Sequence, residues 1–234
     1  MNIPNILTVL RVILIPAFIY FLIQNDPHSR WMALFVFMIA SISDFLDGYL
    51  ARKWNQDTKF GRFLDPLADK ALVVATIVAF VYLDKQIPLW MVLVIIGRDI
   101  IITLMRYLAI RKQMEIKTSR LGKWKTTFQM LSIVIIIMVF VLRSYRFDIS
   151  DTFEKGHMQG KRNFAIAYEL FIEGLSTWPK KDIPKIVKTK VFAESVPYFL
   201  MLFTTFVTII SGLRYLLTNY RVLYPPYRIE REKK

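Results

Sequence analysis

Six long apolar stretches, near residues 4–23, 31–50, 67–83, 88–110, 126–142 and 196–217, set the terms for any fold this chain can take. A bilayer core takes about 20 apolar residues per helix. Lipid also leaves no partner for backbone polar groups outside a helix or a closed barrel. The expectation is an all-α, polytopic membrane protein with six transmembrane helices. Hydrophobic residues make up 55% of the 234, more than an ordinary soluble domain carries. Little sequence is left for a separate soluble domain, so residues 1–234 read as one membrane domain, with a loop insertion at about 144–195.

The first stretch lacks a basic start and a small-residue cleavage site, and it carries Arg11 within its apolar run. It reads as a retained helix rather than a signal peptide. Lys and Arg concentrate in cytoplasmic loops. The second connection holds Arg52, Lys53, Lys59 and Arg62, and the fourth holds Arg111, Lys112, Lys117, Arg120, Lys123 and Lys125. The C-terminal tail adds Arg221, Arg228, Arg231, Lys233 and Lys234, whereas the first and third connections offer only Arg30 and Lys85. This pattern puts both termini in the cytoplasm and the protein in the cell membrane.

The insertion disagrees. It must face outward if there are six spans, yet it holds Lys180, Lys181, Lys185, Lys188 and Lys190. Within it, Phe164, Tyr168, Phe171 and Leu175 recur at helical spacing. Two readings stand: an amphipathic helix on the outer membrane surface, or a helix packed on the protein's own outer face.

The net charge of +14 comes without any nucleic-acid recognition motif, so the basic loops are assigned to anionic membrane lipids and no nucleic acid is expected. The absence of cysteine excludes disulfides and thiolate metal sites. His28 and His157 both fall in connections away from any acidic cluster.

The second connection and its flanks read "SDFLDGYLARKWNQDTKFGRFLDPLADK", residues 43–70. Ionisable residues inside membrane segments are costly and mark functional sites. Positions three and four apart share a helix face, so Asp44, Asp47 and Ala51 form one stripe, and Asp65 and Asp69 another. Asp44 lies eight residues before Arg52, about 12 Å along a helix. The helices, joined by a short basic loop, are expected to be antiparallel neighbours with the carboxylates meeting in a cavity open to the cytoplasm. Four carboxylates repel one another unless divalent cations neutralise them. An oxygen-only donor set selects hard ions such as Mg²⁺, Mn²⁺ or Ca²⁺, and two ions suit displacement at phosphorus. Gly48, Ala51 and Gly61 leave room for a bulky ligand, and Arg52 at the mouth is placed to neutralise a phosphate. Pro66 either occupies the first turn of a helix capped by Asp65 or kinks a helix that began earlier. The competing account is that the acids only pair with Arg52, Lys53, Arg62 and Lys70 at the interface.

The pattern D-x₂-D-G-x₂-A-R-x₈-G-x₃-D-x₃-D is filled without departure by Asp44, Asp47, Gly48, Ala51, Arg52, Gly61, Asp65 and Asp69. It resembles the signature of the CDP-alcohol phosphotransferases, over residues 1 to about 142 and again in the last helix. The resemblance implies a homodimer of six-helix protomers and two divalent metal ions, Mg²⁺ or Mn²⁺. It implies attack by an alcohol on the phosphorus of a CDP-linked lipid, with CMP leaving. Asp44, Asp47 and Asp65 then match metal ligands, and Asp69 a metal ligand that also serves as general base. Gly48, Ala51, Arg52 and Gly61 match the elements that bind CDP.

Two flanks, "NIPNILTVLRVILIP" and "LGKWKTTFQ", resemble family members whose donor is CDP-diacylglycerol and whose acceptor is sn-glycerol 3-phosphate. Members that form cardiolipin from phosphatidylglycerol share similar stretches, and inositol phosphate or serine are further acceptors that the motif does not separate. An acceptor with its own phosphate needs further cations. Arg98, Lys125 and Arg214 are the candidates, with Lys123 beside them. A divalent-metal transporter is the rival of another class. It should carry polar residues through the membrane, whereas 131–142 is apolar apart from Ser132.

Overall fold

A computed structural model describes the backbone of residues 3–54, 59–112, 114, 120–145, 155–177 and 185–222. It describes the side chains of residues 9–43, 70–112, 114, 122, 124–145, 155–177, 193–220 and 222. Described residues form helices and no strand: α1 (Ile3–Ile23), α2 (Pro27–Trp54), α3 (Lys59–Leu83), α4 (Leu89–Arg111), α5 (Arg120–Ser144), α6 (Asn163–Thr177) and α7 (Lys185–Thr218). A 3₁₀ turn, Tyr220–Val222, follows α7.

Each apolar stretch becomes one helix, and most helices run past the apolar run into polar sequence. α3 begins at Lys59 and so enters the motif ahead of Pro66, which is not in its first turn. This excludes the first-turn reading of that proline. α7 starts eleven residues before its stretch and passes through Pro197, while α1 passes through Pro16. Proline removes one helical hydrogen bond, a loss that neighbouring helices make tolerable in membrane bundles.

Six helices close a ring. α1 packs on α2 and α3, α2 on α5, α5 on α7, α7 on α4, and α4 on α3. α6 packs on α7. The core takes side chains from every member of the ring: Phe18, Phe37, Phe80, Met91, Ile136 and Met201 are all buried. Phe18 meets Phe37 with ring centroids 5.5 Å apart, and Phe80 meets Phe140 edge-on at 5.4 Å. Lipid tails are as apolar as this core, so these contacts contribute through close packing more than through escape from water. Between α5 and α7 the Thr204 hydroxyl donates to Ser132 Oγ at 2.9 Å, giving the one polar residue of 131–142 a partner.

The outer surface is apolar too. Ile13, Phe35, Leu93, Ile110, Phe206 and Leu213 are exposed, which an aqueous monomer seldom shows on so many elements. Among the described residues, Trp124–Ser144 and Ala193–Thr218 are long and apolar enough to cross a membrane, with mean hydropathies of 2.1 and 1.8. This all-helical architecture has the character of a membrane protein.

At one end of the ring a polar network joins distant connections. Arg143 donates from Nη1 to Asp84 Oδ2 at 2.6 Å and from Nη2 to the carbonyls of Ala193 and Glu194 at 3.1 and 3.3 Å. Arg30 donates to the carbonyls of Phe140 and Gln24 at 2.7 and 3.2 Å. Both guanidiniums lie over the Phe140 ring, at 5.8 and 5.6 Å, within cation–π range. Asn163 Nδ2, at the start of α6, donates to the carbonyls of Lys85 and Gln86 at 3.2 and 3.0 Å.

α6 is apolar on two faces. Ile166, Ala167, Leu170 and Gly174 are buried. Phe164, Tyr168 and Leu175 are exposed, and Phe171 is half-buried against Phe199, with centroids 5.3 Å apart. The helix packs on the protein, through a different stripe from the one its aromatic spacing suggests.

Candidate active site

α2 carries Asp44, Asp47, Gly48, Ala51 and Arg52 on its last turns, and α3 carries Gly61, Asp65 and Asp69 on its first. Residues 55–58 separate the two helices. The side chains of these eight motif residues, and that of Lys123, lie outside the described residues. Among the described residues no group of three or more His, Cys, Asp or Glu forms a metal site.

Immediately after Asp69 the side chains are described again, and Lys70 leads into a cluster of charges. Its Nζ donates to Thr103 Oγ1 and lies 3.5 Å from the carbonyl oxygen of Asp99, both on α4. The Thr103 hydroxyl in turn donates to that carbonyl at 2.7 Å. The Asp99 carboxylate accepts from Lys125 Nζ of α5 on both oxygens, at 2.9 and 2.9 Å. Arg98 Nη1 adds a bond to Oδ1 at 2.9 Å. Arg98 Nη2 donates to Ser211 Oγ of α7, also at 2.9 Å. Among the described side chains, four helices thus meet at one carboxylate and three cations.

The electrostatics follow from burial. Lys125 is 3% exposed, Arg98 16% and Asp99 22%. A charge taken this far out of water is tolerable only when paired. Asp99 provides the pairing for Lys125 and Arg98. α7 comes close here because Gly212 has no side chain: a Cβ there would stand 3.0 Å from Arg98 Cγ.

The structure brings together two of the three cations singled out in the sequence, Arg98 and Lys125. Arg214 is exposed on α7, three residues beyond Ser211. Lys125 reads as the start of a helix in sequence; α5 begins at Arg120, which places Lys125 in the second turn, deep enough to be buried. Ser211, Gly212 and Thr103 escape sequence reasoning. The only available signal is a Ser-Gly pair in the middle of an apolar helix.

In this helical architecture a complete eight-residue motif at the α2–α3 connection stands one residue ahead of a cationic cluster, and comparison with known proteins makes the chain a transferase. Residues 1–153 match the sequence model of the CDP-alcohol phosphatidyltransferase family, and the chain belongs to that family. α6 and α7 lie beyond the matched residues. Curated relatives of the chain carry the name CDP-diacylglycerol–glycerol-3-phosphate 3-phosphatidyltransferase. The one from Cereibacter sphaeroides is 42% identical over 141 residues, which span 58% of this chain and 63% of the relative. The one from Haemophilus influenzae is 46% identical over 137 residues, 56% of this chain and 73% of the relative. The one from Escherichia coli K12 is 41% identical over 138 residues, 56% and 74%.

Proposed function

We propose that this chain transfers the phosphatidyl group of CDP-diacylglycerol to sn-glycerol 3-phosphate, forming phosphatidylglycerophosphate and releasing CMP. The observation that carries the reading is the intact motif in a chain that is 41–46% identical, over 137–141 residues, to relatives named for that reaction. The cluster of Lys70, Arg98 and Lys125 around Asp99 supports the choice of a phosphate-bearing acceptor, because it gathers three cations beside the motif. Lys70 ties that cluster in sequence to Asp69.

In this mechanism an acceptor hydroxyl attacks the phosphatidyl phosphorus. Asp69 takes the hydroxyl proton, a new P–O bond forms, and the P–O bond to CMP breaks. Gly48, Ala51, Arg52 and Gly61 hold the CDP moiety, with Arg52 on its phosphates. The donor set of Asp44, Asp47, Asp65 and Asp69 consists of carboxylate oxygens only and fits two hard divalent cations, Mg²⁺ or Mn²⁺. Bound there, the ions would neutralise charge on the phosphate oxygens. Arg98 and Lys125 bind the acceptor's phosphate and orient its hydroxyl; Arg214 contributes from the exposed face of α7. The same reading gives six spans, cytoplasmic termini, a cavity open to the cytoplasm of a cell-membrane enzyme, and a homodimer.

The test is to incubate purified protein with CDP-diacylglycerol and Mg²⁺, offering glycerol 3-phosphate, inositol phosphate, serine and phosphatidylglycerol separately. CMP release and the mass of the lipid product identify the acceptor. Turnover with glycerol 3-phosphate is expected; turnover only with another alcohol moves the assignment within the family, and none with any alcohol overturns it.

A further inference from the structure

We propose that Ser211 and Gly212 of α7 are positioning residues that fix the Arg98 guanidinium for the acceptor's phosphate; this rests on the acceptor reading above. Arg98 and Asp99 are consecutive on α4, so their side chains leave the helix about 100° apart, as 3.6 residues per turn requires. To reach Asp99, Arg98 must bend around its own helix, and one bond to Nη1 leaves the guanidinium plane free to swing. Ser211 Oγ supplies the second anchor, accepting from Nη2 at 2.9 Å. Two anchors define the plane of the fork, and bidentate recognition of phosphate depends on that plane.

Ser211 is 1% exposed, so water does not readily replace its hydroxyl if it is removed. Gly212 supplies the complementary restraint. Its bare backbone lies against the Arg98 stem, with a hypothetical Cβ 3.0 Å from Cγ and 3.9 Å from Nε. Nε is buried without a partner among the described residues, as expected where a helix backbone closes over it. A methyl group at 212 would displace the stem by a few tenths of an ångström and with it both anchors. Ser211 and Gly212 touch neither substrate in this account and act only through Arg98. A helix outside the family-matched segment thereby sets acceptor affinity.

The experiment titrates glycerol 3-phosphate and CDP-diacylglycerol separately against Ser211→Ala, Ser211→Thr, Gly212→Ala, Arg98→Ala and the pair Arg98→Ala with Ser211→Ala. Thermal unfolding in detergent is measured for each. Ser211→Ala and Gly212→Ala are expected to raise the KM for glycerol 3-phosphate about threefold to tenfold and to leave the KM for the donor unchanged. Ser211→Thr should restore it. Gly212→Ala should not lower the unfolding temperature, because alanine favours a helix more than glycine does. Without Arg98, removing Ser211 should add nothing, the mark of two residues acting as one. If Arg98→Ala raises the acceptor KM while both α7 variants leave it alone, this proposal fails and the acceptor reading survives. If the α7 variants shift both KM values together and lower the unfolding temperature, they are packing residues and the proposal is overturned. If Arg98→Ala leaves the acceptor KM unchanged, the acceptor reading fails and takes the proposal with it.

Discussion

Lys125 reaches both carboxylate oxygens of Asp99 at 2.9 Å, across 26 residues of chain and between two helices, with only 3% of its side chain exposed. Removing the acid strands a buried cation with Arg98 beside it. Breaking a buried pair from one side costs roughly 3–5 kcal/mol. Asp99→Ala is expected to lose stability on that scale, whereas Asp99→Ala combined with Lys125→Met should recover part of it. Thermal unfolding in detergent checks both, and equal stability of the single and double variants would contradict the pairing argument.

The acceptor's phosphate is assigned to cations already held in place. Arg98→Ala and Lys125→Ala should each weaken glycerol 3-phosphate by roughly 1.5–3 kcal/mol, the range for a charge-assisted hydrogen bond. That is about a tenfold to hundredfold rise in KM. Arg214→Ala should do less, because Arg214 is exposed and water screens its charge. An ordering with Arg214 as the largest effect would relocate the phosphate toward the end of α7.

Asp69→Asn should lower turnover by about 10²–10⁴-fold, the usual contribution of a general base, while binding of the CDP-lipid survives. The amide keeps an oxygen for coordination but does not take up a proton near neutral pH. Rapid-quench measurement of CMP formation, with equilibrium binding of the donor, separates the two effects. Near-normal turnover would remove Asp69 from its role.

Chelation offers an independent check on the aspartates. EDTA should abolish CMP release, and added Mg²⁺ or Mn²⁺ should restore it, because four acids this close in sequence repel one another without a counter-ion. Full activity in chelator would leave the carboxylates to pair with Arg52, Lys53, Arg62 and Lys70 instead.

The far end of the ring provides a contrast. Arg143→Ala leaves Asp84, 5% exposed, without its 2.6 Å partner and takes two hydrogen bonds from the third turn of α7. Stability should fall by roughly 3 kcal/mol or more, with both substrate KM values unchanged in the fraction that stays folded. A selective change in acceptor KM would mean that this end communicates with the cluster.

The sequence made some layers of this structure plain and hid others. Apolar run length marked every ring helix, because lipid imposes one length on all of them. Helix ends were less legible: α2 and α3 continue through the charged motif, and α3 starts ahead of Pro66, where composition alone allowed a break. Pairing between helices was not legible. Nothing in residues 98 or 125 names Asp99 as their shared partner, and Ser211 lies 113 residues from Arg98. Packing of an apolar helix against lipid or against protein gives the same periodicity, which is why the aromatic stripe of α6 left both readings open; Phe164, Tyr168 and Leu175 are exposed, whereas Phe171 meets Phe199.

Closure of the ring by α7 has a consequence for biogenesis. During synthesis α1 to α5 emerge first, and they already contain Arg98, Asp99, Lys125, Asp84 and Arg143. Until α7 arrives, Arg98 lacks Ser211, Arg143 lacks the carbonyls of Ala193 and Glu194, and α4 and α5 lack the helix that lies between them in the ring. Without α7 the ring contacts leave a gap between α4 and α5. Insertion of the final helix works as a clasp, joining both ends of the bundle in one late, sequence-distant step. On the proposed acceptor site, a chain that ends before α7 lacks the Ser211 anchor of Arg98 and is expected to be inactive toward that acceptor.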